Sequence, residues 1–159
     1  MTAWTEHLAR VGATLDETAR SIAFASPADE ARATETATIA VPLLHLGTIR
    51  SQGPDSAAFL HNLVSNDVKH MEADTAAWNS FNSPKGRMIA SFLVWTEEGG
   101  HALALSADIL PAFLKKFSMY VLRSKVKLAD ASAEVALIGL AGPQAVAIAQ
   151  AAGAALPAV

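Results

Sequence analysis

The chain has 159 residues, of which 52% are hydrophobic and 17% charged, a composition that excludes a disordered chain and fits one folded domain. The net charge of −3 argues against bulk nucleic-acid binding, and the absence of cysteine excludes disulfides, cysteine-ligated metals and a thiol nucleophile. No apolar run approaches the ~20 residues of a membrane span. The first residues also lack the pattern of a secretory signal, so we expect a cytoplasmic protein with no membrane partner.

The beginning of the chain has the pattern of an amphipathic helix. Apolar residues recur at steps of three or four from Trp4 to Ile22, which predicts one helix with a single apolar face. Pro27 breaks this pattern, and the dozen residues after it are typical of a linker. We therefore assign residues 1–35 to an N-terminal helix and linker, and residues 43–159 to the main domain.

From residue 43 onward the pattern changes to short strands and helices separated by turn-forming residues. The predicted strands cover residues 44–50, 75–82, 87–95, 101–106, 123–128 and 134–140. Helices are predicted to begin near Pro54, Asp108 and Pro143. The segment 88–95 is apolar at nearly every position, which predicts a central strand covered on both faces. This mixture of hairpins and helices predicts an α+β fold with a mainly antiparallel sheet.

Two polar motifs are candidate binding sites. The turn between the strands 75–82 and 87–95 contains Lys85, Gly86 and Arg87, which suits an anion because glycine lets a ligand approach the backbone and the cations donate hydrogen bonds. A solvated turn is the alternative, and the spacing alone favours it. The pair Asn66 and Asp67 follows a predicted helix; it could hold a polar heterocycle or only satisfy backbone groups.

A third candidate is a basic stretch near the C-terminal end. Five of the twelve Lys and Arg residues fall within it: Lys115, Lys116, Arg123, Lys125 and Lys127. The stretch suits an RNA phosphate backbone or an acidic protein, with a solubilising surface as the alternative. The five histidines show no spacing typical of metal ligands, so no metal site is predicted. The residues alone thus predict an α+β domain with a cationic hairpin tip.

Read together, several segments resemble the folate-binding family that includes the glycine-cleavage T-protein, an aminomethyltransferase, and YgfZ. These segments occur in the family's order and cover residues 45–50, 53–60, 64–68, 83–87, 119–126 and 139–145. The segments 83–87 and 119–126 are similar to the YgfZ branch specifically. Because the family is normally about twice as long, the chain resembles its front half, with the C-terminal half of the same fold as an expected partner.

The resemblance implies a tetrahydrofolate-binding fold and a role in biogenesis or repair of iron–sulfur proteins and in tRNA modification. Iron–sulfur proteins and tRNA-modifying enzymes are therefore the implied protein partners. The folate contacts that it implies lie at Asn66, Asp67, Lys85, Gly86, Arg87, Ser106 and Arg123.

Departures from the family pattern argue against catalysis. The transferase carries paired acids where this chain has Ala90 and Ser91, and neither side chain exchanges a proton at neutral pH. Ser106 replaces an asparagine, and the Lys-Gly-Cys motif of YgfZ-like proteins is missing. We therefore expect folate binding without turnover and assign no catalytic residue. The alternatives are an RNA- or protein-docking module that uses the 115–127 stretch and, ranked last, aminomethyl transfer with Asp67 as the acid.

Overall fold

The computed structural model describes residues 3–16, 18 and 20–154, which form two compact units. One unit combines residues 1–45 with residues 136–159, and the other spans residues 46–135. The elements in chain order are α1 (Ala3–Arg10), β1 (Thr14–Asp16), β2 (Ser21–Ala23), α2 (Pro27–Thr36), β3 (Ile39–Pro42), β4 (Leu46–Gln52), α3 (Ser56–His61), β5 (Ala76–Asn82), β6 (Met88–Glu97), β7 (Gly100–Ser106), α4 (Leu110–Ser118), β8 (Lys127–Asp130), β9 (Ile138–Ala141) and α5 (Ala145–Ala151).

The unit 46–135 is built on a five-stranded sheet with the order β5-β6-β7-β4-β8, in which every neighbouring pair is antiparallel. One face of this sheet packs against α3 and α4. The buried side chains of this core are Ile49, Phe59, Leu60, Val68, Phe81, Ala90, Phe92, Val94, Leu103, Leu105, Leu110, Phe113 and Phe117. The predicted α+β class with a mainly antiparallel sheet is confirmed.

Aromatic rings join the helices to the sheet. Phe113 and Phe117 lie one turn apart on α4 and stack with ring centroids 4.9 Å apart. Phe81 of β5 meets Phe117 edge-on at 5.3 Å, and Phe92 of β6 lies 5.6 Å from Phe113. Such pairs add roughly 0.5–1.5 kcal/mol each beyond the area that they bury. Burial of one side of β5 and β6 leaves their alternate residues on the other side of the sheet.

The prediction that the strand at 88–95 is covered on both faces is wrong. Phe92 and Val94 of β6 are fully buried, but Met88 is 64% exposed and Ser91 is also exposed. The continuous apolar run misled the prediction because β6 belongs to an antiparallel sheet whose second face is open at this end.

The hairpin between β5 and β6 is a tight turn with a fixed backbone. Ser83 N–H donates to the Arg87 carbonyl at 2.7 Å, and Gly86 N–H donates to the Ser83 carbonyl at 2.8 Å. Gly86 has φ +74°, a conformation that glycine adopts without the penalty of a Cβ atom. A bulge between Phe81 and Asn82 shifts the register at the base of this turn.

The N-terminal prediction is wrong in its elements. The helix predicted for residues 4–22 ends at Arg10, because Gly12 turns the chain with φ +95° and β1 and β2 then form a short hairpin. The predicted linker contains α2, which the Ser26 hydroxyl caps by accepting the Asp29 N–H, with Pro27 in the first helical position. Serine before proline is a helix start signal that the linker interpretation overlooked.

Three later elements also differ from the sequence prediction. The strand predicted at 123–128 forms at Lys127–Asp130, because residues 119–126 form a loop after α4. Helix α4 starts at Leu110 with Ile109, not Asp108, in the capping position. In the other unit, the strand predicted at 134–140 forms only at Ile138–Ala141, where β9 pairs with β3.

Candidate folate-binding face

The face of the sheet that points away from α3 and α4 carries an aromatic and several hydroxyl side chains. We call its part on β5, β6 and β7 the outer face; it comprises Trp78, Ser80, Ser91, Leu93 and Ser106, of which Ser80 is buried. Trp78 pairs with Leu93, and Ser80 pairs with Ser91 across the β5–β6 ladder. Trp78 is 69% exposed. The outer face therefore presents a flat apolar surface with hydroxyl groups next to it, which suits a planar polar ring.

The segment 64–66 covers the free edge of β5 beside Trp78. Val64 forms an isolated antiparallel bridge with Phe81, and Ser65 N–H donates to the Ser80 carbonyl at 3.0 Å. The Asn66 side-chain amide donates to the Trp78 carbonyl at 2.5 Å, while the Asn66 N–H donates to Asn79 Oδ1 at 2.8 Å. Asn66 is thus held at the free edge of β5, where it fixes the backbone that carries Trp78.

The Asp67 carboxylate contacts two histidine side chains. His70 Nδ1 lies 2.7 Å from Asp67 Oδ2, and the His70 N–H donates to Asp67 Oδ1 at 3.1 Å. His61 Nδ1 lies 3.1 Å from Asp67 Oδ1 but outside hydrogen-bond geometry. The hydrogen bonds from His70 lower the pKa of Asp67 to about 2, so its carboxylate is ionised throughout the physiological pH range.

The cationic hairpin tip extends beyond the end of the outer face. Lys85, Gly86 and Arg87 are all exposed. Their turn is stabilised by the Arg87 N–H, which donates to Ser83 Oγ at 3.1 Å. Within the part of the chain that the structure describes, neither Lys85 nor Arg87 forms an ion pair. Both charges are therefore available to an anion.

The other two predicted contacts lie on different sides of the sheet. Ser106 is the last residue of β7, opposite Leu46, and is exposed on the outer face. Arg123 belongs to the loop after α4, where the Tyr120 ring meets Phe81 edge-on at 5.4 Å. Because Phe81 points into the core, this contact places the loop on the helical side of the sheet.

The sequence reasoning missed Trp78 and the difference between Ala90 and Ser91. Ala90 is 3% exposed and pairs with Phe81 in the core, whereas Ser91 is exposed opposite Ser80. Of the two positions that hold acids in the transferase, only Ser91 faces the outer side. Trp78 alternates with the core residues of β5, and this alternation could have indicated an aromatic ring on the outer face.

Comparisons with known proteins agree with this architecture. The chain matches the family model described as the GCVT N-terminal domain over residues 4–156. It therefore belongs to this family, which confirms the resemblance found in the sequence. The crystal structure of the glycine cleavage system aminomethyltransferase T from Bartonella henselae superposes with a TM-score of 0.72 over 98% of this chain and 43% of that one, at 18% identity. At that identity the match shows the shared fold alone.

Curated relatives include both branches that the sequence resembles. The mitochondrial iron–sulfur cluster assembly factor IBA57 homolog of Mycosarcoma maydis is 33% identical over 70% of this chain and 31% of that protein. The tRNA-modifying protein YgfZ of Vibrio vulnificus is 31% identical over 67% of this chain and 33% of that protein. An aminomethyltransferase of Shouchella clausii is 29% identical over 67% of this chain and 29% of its own length. The chain thus spans about a third of these relatives.

Two features are absent from the residues that the structure describes. Among them, no helix is long and apolar enough to cross a membrane. Histidine, aspartate and glutamate side chains in the same ranges form no group of three or more that could hold a metal ion.

Proposed function

We propose that the chain forms one wall of a site for a reduced folate and contributes binding, not turnover. The observation that carries this proposal is the exposed Trp78 ring on a flat sheet face beside Asn66, in a chain that belongs to the GCVT family. A pterin is a planar heterocycle with many hydrogen-bonding groups. The outer face offers an aromatic ring for stacking and hydroxyls for these groups.

Each part of a folate has a suitable counterpart on this unit. Stacking on Trp78 is worth about 1–3 kcal/mol, as for bases on aromatic side chains. The glutamate tail carries carboxylates, and Lys85 and Arg87 at the hairpin tip would bind them, at roughly 1.5–3 kcal/mol for each desolvated contact. Ser91 and Ser106 lie on the outer face for polar contacts with the ring. We assign Arg123 no pterin contact because its loop lies on the helical side.

The first prediction concerns Trp78 and the hairpin tip. In calorimetric titrations with 5-formyltetrahydrofolate, we expect Trp78→Leu to weaken binding roughly 5- to 150-fold, which corresponds to the stacking energy of about 1–3 kcal/mol.

The Lys85→Ala/Arg87→Ala double variant should lose affinity chiefly for folates with several glutamates in the tail, because these two cations are proposed to bind the tail carboxylates.

Trp4→Leu is the matched control, because it removes a tryptophan from the other unit and should leave folate binding unchanged. The stacking of the pterin on Trp78 would be refuted if Trp78→Leu kept the wild-type affinity. The circular dichroism of this variant must match that of the wild type.

We rank aminomethyl transfer last because the outer face lacks a suitable acid. Ser91 is the outward-facing residue where the transferase has an acid. Asp67, the replacement considered from sequence, is engaged by His70 and has a pKa of about 2. A carboxylate with so low a pKa is a weak general base and is not protonated near neutral pH, so it suits neither role in proton transfer.

The biological role that we propose follows the named relatives. IBA57 is described as an iron–sulfur cluster assembly factor and YgfZ as a tRNA-modifying protein. We therefore propose that folate binding by this chain serves maturation of iron–sulfur proteins, including enzymes that modify tRNA. A cytoplasmic location stays a prediction, since one of these relatives is described as mitochondrial.

A further inference from the structure

The loop after α4, residues 119–126, exposes apolar side chains to solvent. Met119 is 71% exposed and Leu122 is 87% exposed. Leu122 also has φ +45°, a left-handed conformation that places the Cβ atom of leucine too close to the backbone. An unfavourable backbone together with nearly full exposure means that the Leu122 side chain stabilises nothing within the chain.

The base of this loop is firmly anchored. The Lys125 N–H donates to Asp55 Oδ2 at 2.7 Å, and Gly53 packs so closely on the Lys125 carbonyl that a Cβ atom there would collide with it. Val121 and Val126 pack against the hydrophobic core from within the loop. The exposed apolar side chains therefore project from a fixed backbone.

The segment that contains this loop is rich in cations. Residues 109–129 contain no acid and five cations, all of them exposed: Lys115, Lys116, Arg123, Lys125 and Lys127. Among the residues that the structure describes, none of the five side chains forms an ion pair. On a chain with a net charge of −3, this patch is a local reversal of sign that attracts anionic groups.

A shallow open depression lies beside the loop. It is lined by Asp55, Tyr120, Leu122, Arg123 and Ser124. Its wall thus combines apolar side chains, a guanidinium group and the Asp55 carboxylate, which accepts the Lys125 N–H. A side chain of a partner could enter this depression and contact Leu122, while a neighbouring carboxylate approaches Arg123.

We propose that the loop and four of these cations, Lys115, Lys116, Arg123 and Lys125, form a docking surface for an acidic segment of a partner protein in which apolar residues alternate with carboxylates. Lys127 is left out because it alternates with Leu128, which packs against the core, and so points to the other side of the sheet. The apolar residues would cover Met119 and Leu122, and the carboxylates would pair with the cations around them. This inference is independent of folate binding, because the loop lies on the helical side of the sheet and the outer face lies on the opposite side.

Two other anionic partners fit this surface less well. RNA bases stack on aromatic rings, but the most exposed apolar side chains here are aliphatic, and the Tyr120 ring packs edge-on against Phe81. A flat bilayer surface cannot fill the depression beside Leu122. A protein segment can cover the apolar side chains, pair with the cations and place a side chain in the depression at the same time.

Leu122→Asn gives a sharp test because asparagine tolerates the left-handed conformation better than leucine. We expect this variant to raise Tm while weakening, at least tenfold, the binding of a fluorescein-labelled dodecapeptide that alternates Glu-Glu with Leu-Leu. Fluorescence anisotropy of the full chain measures the binding. Val11→Asn removes another exposed apolar side chain, 55% exposed, and should leave the peptide affinity unchanged.

Comparison probes separate the possible partners. A peptide with serine in place of leucine should bind wild-type chain much more weakly, and Lys115→Gln/Lys116→Gln should reduce both the affinity and its salt dependence. Equal peptide affinity for wild type and Leu122→Asn would overturn the proposal. It would also be overturned if oligouridylate or phosphatidylserine-containing vesicles bound in a Leu122-dependent manner while the peptide did not.

Discussion

His101 lies in the interior of the larger unit, where it contacts two serines. It is 7% exposed, and its Nδ1 atom is 3.0 Å from Ser56 Oγ. Ser56 Oγ donates to the Ser51 carbonyl at 2.8 Å and lies 2.8 Å from Ser51 Oγ. With its single proton used in that way, Ser56 accepts from His101, which is the wrong direction for a histidine that activates a nucleophile. The arrangement is therefore a structural network.

A pH-dependent stability follows from this burial. Desolvation lowers the pKa of His101 below its ordinary value of 6.5, so the folded chain disfavours the protonated ring while the unfolded chain does not. The stabilisation is complete above pH 6.5 and is lost as the pH falls from 6.5 toward the folded-state pKa. Urea unfolding in this range should show a free energy that decreases by at most about 1.4 kcal/mol per pH unit for this group.

His101→Gln removes the titrating ring while keeping a side chain able to donate to Ser56. We expect the pH dependence between 6.5 and the folded-state pKa to flatten in this variant. A slope identical to that of the wild type would show that other groups cause it. His45→Gln is the matched control, because this exposed histidine lies outside the sheet of the larger unit.

Among the elements, the junction between β4 and α3 is the point where the loop 119–126 meets the sheet. Gly53 has φ +126°, and its N–H donates to the Gly99 carbonyl at 3.0 Å. Its α-carbon faces the Lys125 carbonyl so closely that any side chain would displace the loop. The strand end, the start of α3 and the loop therefore depend on one residue without a side chain.

Comparison of two glycines tests this dependence. Gly53→Ala should destabilise the chain by roughly 2–5 kcal/mol, through backbone strain and the collision with the Lys125 carbonyl. Gly86→Ala should cost only about 1–2 kcal/mol, because Gly86 also has a positive φ but open space around it. Chemical denaturation measures both values. Equal costs would show that contact with the loop is not what Gly53 provides.

In the smaller unit (residues 1–45 and 136–159), the described strands form only two-stranded sheets. Strands β3 and β9 form a two-stranded sheet on their own. Several apolar side chains of this unit are exposed: Val41, Ile138, Leu140, Val146 and Ile148.

For the whole molecule, a ligand that binds only the folded chain must raise its stability. If the outer face binds 5-formyltetrahydrofolate, a concentration of 100 times Kd should add about 2.7 kcal/mol to the free energy of unfolding. A thermal shift that grows with the logarithm of folate concentration, and that Trp78→Leu reduces at each concentration, is the expected result. An unchanged Tm at saturating concentrations would contradict folate binding by this chain.

Alternating apolar residues and turn signals were enough to predict the α+β class and the strands β4 to β7, because these patterns act locally. The order of residues 43–145 also identified the family. The sequence further predicted the polar pair Asn66–Asp67 and the cationic tip. What these residues contact could not be predicted from local pattern, since the partners of Asn66 are Trp78 and Asn79 on strand β5.

Only the tertiary structure decided which side of the sheet each residue faces. A shift of one residue in strand register exchanges the two faces, so the sequence could not tell that Ala90 lies in the core and Ser91 on the outer face. The same reason hid the exposure of Trp78, whereas the position of Arg123 depends on how the loop after α4 packs against the sheet. Local pattern determined the elements of this protein, and the register in which β5, β6 and β7 pair determined its candidate site.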